Sequence, residues 1–111
     1  MPRMTPDKTL DLEIISEKAA AMGRISSRLE EALTALRAFD AARAEPGAVA
    51  RPGWRAEREE LVATAAEWVW YFVVQREALG WMDHEQALRF YQVSDEVRHR
   101  MGPRRRPTPR P

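Results

Sequence analysis

Hydrophobic and polar positions follow a helical period over much of this chain. Ile15, Met22, Leu29 and Leu36 recur every seven residues, and Ile25, Ala32 and Phe39 follow the last three of these by three. Leu12, Ala19 and Leu33 widen the stripe on its neighbouring side. The spacing predicts one long amphipathic helix from about Asp7 to Ala44, paired lengthwise as in a coiled coil. Thr5 is placed to cap it with Pro6 at the first helical position, and Thr9 offers a later start. Lys18 interrupts the stripe, and Gly23 weakens the helix centre by about 1 kcal/mol relative to Ala. Thirty-odd residues at 1.5 Å each span roughly 50 Å. That exceeds the radius of a compact domain of this size, so the helix calls for a partner along its length.

Two Pro-Gly pairs, Pro46-Gly47 and Pro52-Gly53, stop the first helix and turn the chain. A second helix follows from about Trp54 to Leu79. Leu61, Val62, Ala65, Trp68, Val69, Phe72 and Val73 share one face of it. The run Trp68-Val69-Trp70-Tyr71-Phe72-Val73-Val74 is apolar at every position. Its β-branched and aromatic content would also suit a strand. Glu57–Glu67 and Gln75–Leu79 are strong helix formers on either side with no turn signal between, so one continuous helix is the reading adopted. A helix packed on one face needs an apolar stripe, not an apolar girdle. Aromatics bury roughly 150–250 Å² each, so the girdle marks the centre of the fold or of an interface. Its cover must come from this chain, a second copy or a partner.

Gly80 is a natural terminator. Asp83 followed by Gln86 reads as a cap for a short helix ending near Tyr91. Ser94 caps another from Asp95 to about Met101, stopped by Gly102-Pro103. Leu88, Phe90, Tyr91, Val93 and Val97 give these two helices an apolar face, suited to folding back over the girdle. The expected organisation is a loose lead-in at 1–6, one helical domain at 7–102 and a disordered Arg/Pro tail at 103–111. No repeat is visible. The fold class is all-α: a long antiparallel helical hairpin closed by two short C-terminal helices, with two copies pairing into a four-helix-like dimer.

Composition narrows the function. The chain has 111 residues and no Cys. Disulfides, thiolate metal sites and Cys nucleophiles are thereby excluded, and a reducing, cytoplasmic setting fits. No apolar segment follows the N-terminal Met1-Pro2-Arg3, so no signal peptide is expected. The longest apolar run is seven residues, far short of the ~20 that cross a bilayer. Net charge is +1, from 18 basic and 17 acidic residues. Four Arg lie in the tail from Arg104 onward, leaving 14 basic against 17 acidic, or −3, for residues 1–103. Basic residues are 16 Arg to 2 Lys, and Ala occurs 17 times, a bias typical of GC-rich bacterial coding.

Chemistry-bearing patterns are sparse. Residues 83–101 resemble a degenerate helix-turn-helix, with Ala87, Tyr91, Val93, Ser94 and Val97 near the small-residue, turn and anchor positions. Arg98 and Arg100 follow, then Arg104, Arg105 and Arg106, a set that could contact nucleic acid. Against this, Asp95 and Glu96 occupy the first turn of the helix that would approach bases, where they repel phosphate. Gln92 also stands where a turn glycine would help. The tail alone offers a weak, salt-sensitive contact or simply a solubilising terminus. Glu96-x-x-His99 has di-iron spacing but lacks a second copy in the chain, so no metal and no cofactor are expected. Two His, four Ser and no Cys give no nucleophile, base and orienter set. Asp83 beside His84 is explained by capping. Glu67, just before Trp68, is the acid placed for partial burial.

Leu29-Glu30-Glu31-Ala32-Leu33, Ala38-Phe39-Asp40 and Gln75-Arg76-Glu77-x-x-Gly80-x-x-Asp83-His84 resemble a family of uncharacterised small helical proteins. These come mainly from alphaproteobacteria and form a domain of unknown function. The likeness spans roughly residues 10–102 and implies a bacterial, cytosolic, non-enzymatic protein. The expected function is a protein–protein interaction or adaptor module, a homodimer with Trp68, Trp70, Tyr71, Phe72, Val74, Leu29 and Leu36 at its interface. A DNA-associated regulator using 83–101 and the basic tail is the alternative.

Overall fold

The computed structural model describes residues 6–103, and within them the chain is four helices without a strand. Helix α1 spans Pro6–Ala44, α2 Trp54–Ala78, α3 Glu85–Phe90 and α4 Asp95–His99. The all-α hairpin with two short C-terminal helices is the architecture that the hydrophobic pattern predicts. Pro6 opens α1 as expected, while the proposed capping residue Thr5 and the tail from Arg104 lie outside the described residues.

Packing of α1 on α2 builds the core. Leu29, Leu33 and Leu36 of α1 meet Val62, Ala65, Ala66, Val69 and Phe72 of α2, and Leu88, Val93 and Val97 close the cluster from the C-terminal segment. Leu29, Val62, Val69 and Val97 are completely buried. Met22, Ile25 and Ala32 pack partly against this cluster. From Met22 onward, then, the partner that the long stripe calls for is α2 of the same chain.

The helix ends show why the elements stop where they do. Gly53 (φ 82°) turns the chain into α2. At the far end Leu79 caps α2, and Gly80 takes the left-handed conformation (φ 90°). The Gly80 amide then donates to Glu77 O (2.9 Å) and the Trp81 amide to Arg76 O (2.9 Å), the paired bonds of a Schellman motif. Ser94 Oγ accepts from the Val97 amide (3.3 Å), as expected of the α4 cap. The α3 boundary shifts by one residue. His84 occupies the cap position without a side-chain bond to the helix backbone, while Asp83 Oδ1 accepts from the Glu85 amide (3.1 Å).

An ion-pair clamp ties three helices together. Arg58 on α2 donates through Nε and Nη2 to both oxygens of Asp40 on α1 (2.8 and 3.1 Å). Through Nη1 and Nη2 it reaches both oxygens of Glu96 on α4 (2.8 and 2.9 Å). Two-point Arg–carboxylate pairs fix orientation as well as distance. The same guanidinium holds the Asp40 and Glu96 carboxyls below the usual carboxylate range, chiefly through these hydrogen bonds.

Candidate interaction surface

The two hairpin helices differ in length by fourteen residues, 39 against 25. The excess lies at the N-terminus of α1. Near this end the helices exchange a reciprocal pair of hydrogen bonds: Lys18 Nζ donates to Ala78 O (3.3 Å) and Gln75 Nε2 donates to Lys18 O (3.2 Å). The lysine that interrupts the apolar stripe therefore has a place, over the carbonyl end of α2 where a cation is favoured. Beyond Lys18, α1 runs on over Pro6–Glu17 for about 18 Å, with Ile14 and Glu17 still sharing a shallow cleft with Gln75 of α2. The stripe does not stop there. Leu10 is 56% exposed, Leu12 54%, Ile14 41% and Ile15 56%.

A second exposed apolar group stands beside the same end. After the α2 turn, Trp81 and Met82 are open, and Phe90 on α3 is 78% exposed. With Met22, Phe72 and Tyr91 the two aromatics Trp81 and Phe90 wall a cleft of about 570 Å³. Its floor is organised by Arg76. This side chain donates through Nε to His84 Nδ1 (3.1 Å) and through Nη2 to Asp83 O (2.9 Å). Its guanidinium lies 5.1 Å from the Trp81 ring and 5.7 Å from the Phe72 ring. Because Nδ1 of His84 accepts, Nε2 carries the proton and faces Glu77 Oε1 at 3.2 Å. A fixed cationic floor thus holds an aromatic wall in place.

The girdle of α2 is split rather than enclosed. Val69 and Phe72 are buried against α1 and the C-terminal segment, with Tyr91 meeting Phe72 edge-on at 5.4 Å. The short helices thus cover one side of the girdle only. Trp68 and Trp70 are half-buried, and Tyr71 stacks obliquely on both (5.4 and 5.1 Å) while remaining exposed. Val74 is exposed as well. Of the residues expected at an interface, Leu29, Leu36 and Phe72 are instead core residues of the single chain, because α2 and the C-terminal segment already cover them. Trp70, Tyr71 and Val74 stay on the outer side of α2. The exposed residues of the α1 projection, with Trp81, Met82 and Phe90, were absent from that expectation. The one available signal was the length of the stripe, which outruns the 25 residues of α2.

Two of the residues considered for nucleic-acid contact, Arg98 and Arg100, are engaged within the fold. Arg98 donates through Nη1 and Nη2 to both oxygens of Glu85 (2.9 and 3.2 Å), and Arg100 pairs with Glu59. These pairs hold the Glu85 and Glu59 carboxyls below the usual range, first through the arginine hydrogen bonds. Glu96, at the start of α4, is paired with Arg58 while remaining half-exposed. Gln92 is left-handed (φ 56°), the conformation a turn glycine would favour, and Arg37 holds the turn by donating to Tyr91 O and Gln92 O. Arg104, Arg105 and Arg106 lie outside the described residues. Glu67 is half-buried. Among the described residues no group of three or more His, Asp or Glu is gathered as a metal site, and no helix is long and apolar enough to cross a membrane.

No protein-family model, curated protein or solved structure matches this chain.

Proposed function

We propose that this chain is a non-enzymatic protein–protein interaction module whose binding face is the α1 projection with the adjoining Trp81–Phe90 wall. The observation that carries this reading is the run of half-open large aliphatics, Leu10, Leu12, Ile14 and Ile15, on the stretch of α1 that extends past the end of α2. Isolated helices of about twelve residues are marginal in water, and clustered exposed apolar side chains mark association surfaces. Asp11, Glu13 and Glu17 flank these aliphatics. An acidic rim is repelled by anionic lipid and by phosphate backbones, and suits a protein partner. The lack of cysteine accords with a cytoplasmic setting.

A photo-reactive amino acid placed at position 12, and separately at position 35, tests this in cells producing the protein. Both sites are exposed, one on the projection and one on the outer side of the covered half. Discrete adducts are expected from position 12 and not from position 35. Equal labelling from both, or none from either, contradicts an interaction face on the projection.

A further inference from the structure

We infer that the cleft between α1, the turn after α2 and α3 is a binding site for a small aromatic carboxylate, with its anion on Arg76 and its ring on Trp81 and Phe90. The inference needs neither the α1 projection nor a partner chain, so it stands or falls apart from the interaction reading. The fold builds these walls and leaves them open. The turn at Gly80 fixes Trp81, whose amide donates to Arg76 O. Tyr91 meets Phe72 edge-on at 5.4 Å, and Phe90 stands perpendicular to Tyr91 at 5.1 Å. Yet Trp81 is 51% and Phe90 78% exposed, so neither ring is spent on the core. Met22 and Ala87 complete the apolar lining. The cleft volume of about 570 Å³ falls within the roughly 300–1,000 Å³ of small-ligand sites, which combine apolar walls with a few convergent polar groups.

The charge on the floor selects the ligand. Arg58, Arg98 and Arg100, which also bridge elements of the fold, each hold a carboxylate. Arg76 does not. Its acceptors are the neutral His84 Nδ1 and the backbone oxygen of Asp83, and among the described residues no carboxylate lies within ion-pair distance of it. A guanidinium has five N–H donors. Arg76 spends one on each of these acceptors, and the remaining three bond to no described residue. A half-buried cation held in place without a counter-ion is matched by an incoming carboxylate, whose two oxygens fit the guanidinium fork. Ser26 and Gln86 line the same cleft and offer a hydroxyl and an amide beside it. Asp83 lines it as well, its Oδ1 accepting from the Glu85 amide. One cation with one acid nearby suits a single negative charge and disfavours a dianion such as a phosphate monoester, while Arg76 repels an amine. The exposed aromatic walls suit a flat ring, which packs on them offset or edge-on.

Three probes of one shape test this on the full chain: 3-phenylpropionate, its neutral amide 3-phenylpropionamide, and 3-phenylpropylamine. Each is titrated into ¹⁵N-labelled protein, and the indole N–H signals of the four Trp are followed by NMR. The acid is expected to shift the Trp81 signal saturably, with those of Trp54, Trp68 and Trp70 unmoved. The amide should bind at least about tenfold more weakly, since charge-assisted hydrogen bonds are the strong ones, and the amine should not bind. Arg76→Gln should bring acid and amide to the same affinity. Phe90→Ala leaves the floor intact and removes a ring that is 78% exposed. It should therefore weaken the acid without altering the fold, and it keeps the test open if Arg76→Gln disturbs the turn. Equal binding of acid and amide by the wild type overturns Arg76 as the anion's partner. Shifts spread evenly over the four indoles, or no shift at Trp81 up to the solubility of the acid, overturn the cleft as the site. The adducts from position 12 report on the interaction face separately, so either reading can fail alone.

Discussion

The two halves of α1 are both rich in large aliphatic residues and meet opposite fates. From Met22 to Phe39 the stripe lies against α2, with Leu29, Leu33 and Leu36 closed off and Asp40 held by Arg58. From Leu10 to Ile15 comparable aliphatic residues stand half open because α2 ends at Ala78, opposite Lys18. Helix length thus decides which aliphatic residues of α1 become core and which stay open. A stripe records what a helix can bury, and the neighbouring element decides how much of it is buried within the chain.

Substitution at matched positions should separate the halves most sharply. Leu29→Ala removes a fully buried side chain and is expected to lower unfolding free energy by about 2–5 kcal/mol, read from urea denaturation of dilute protein. Leu12→Ala under the same conditions should fall within about 0.5 kcal/mol of wild type. A comparable loss at both sites would mean that the projection is structurally covered. The clamp of the closed half comes next. Arg58→Ala leaves Asp40 and Glu96 facing each other without their cation, and should cost about 1 kcal/mol because both carboxylates are half-exposed.

The clamp also sets a pH dependence for the closed half. Asp40 and Glu96 have carboxyls lowered by Arg58, Glu85 by Arg98 and Glu59 by Arg100. A carboxyl lowered in the folded state stabilises fully above its unfolded value, about pH 4, and that stabilisation is lost as pH falls through the lower folded values. Stability should therefore hold from pH 7 to about 5 and decline below about 4, with a shallower acid limb in Arg58→Ala. Unfolding curves recorded across that range in both proteins check this, and identical limbs would remove the clamp as the cause.

The smallest effect lies at the boundary between the halves. Gly23 sits in mid-helix, and a Cβ added there meets nothing within 4 Å. Gly23→Ala should raise stability by up to about 1 kcal/mol through helix propensity alone, measurable as a higher denaturation midpoint with an unchanged slope.

Much of this molecule could be read from periodicity and punctuation. The ends of α1 and α2 follow from Pro6, Pro46-Gly47 and Gly80, and the α4 cap from Ser94, because each acts on the backbone locally. The girdle was harder to read. Seven consecutive apolar residues state how much surface is available, but Val69 and Phe72 turn inward while Tyr71 and Val74 stay open, and that depends on where the C-terminal segment docks. The clamp was not legible at all, since Asp40, Arg58 and Glu96 meet only through tertiary packing. The projection followed from one subtraction, the length of α2 taken from that of α1, applied after both ends of α2 were known.

Solution mass by light scattering over a concentration series, on the wild type and on Leu12→Arg/Ile15→Arg, tests the central claim most directly. The wild type should rise from its chain mass of 12.8 kDa toward twice that value as concentration increases, while the double variant stays at the chain mass with an unchanged unfolding transition. Wild type and variant rising together would place association elsewhere on the molecule and contradict the projection as the binding face.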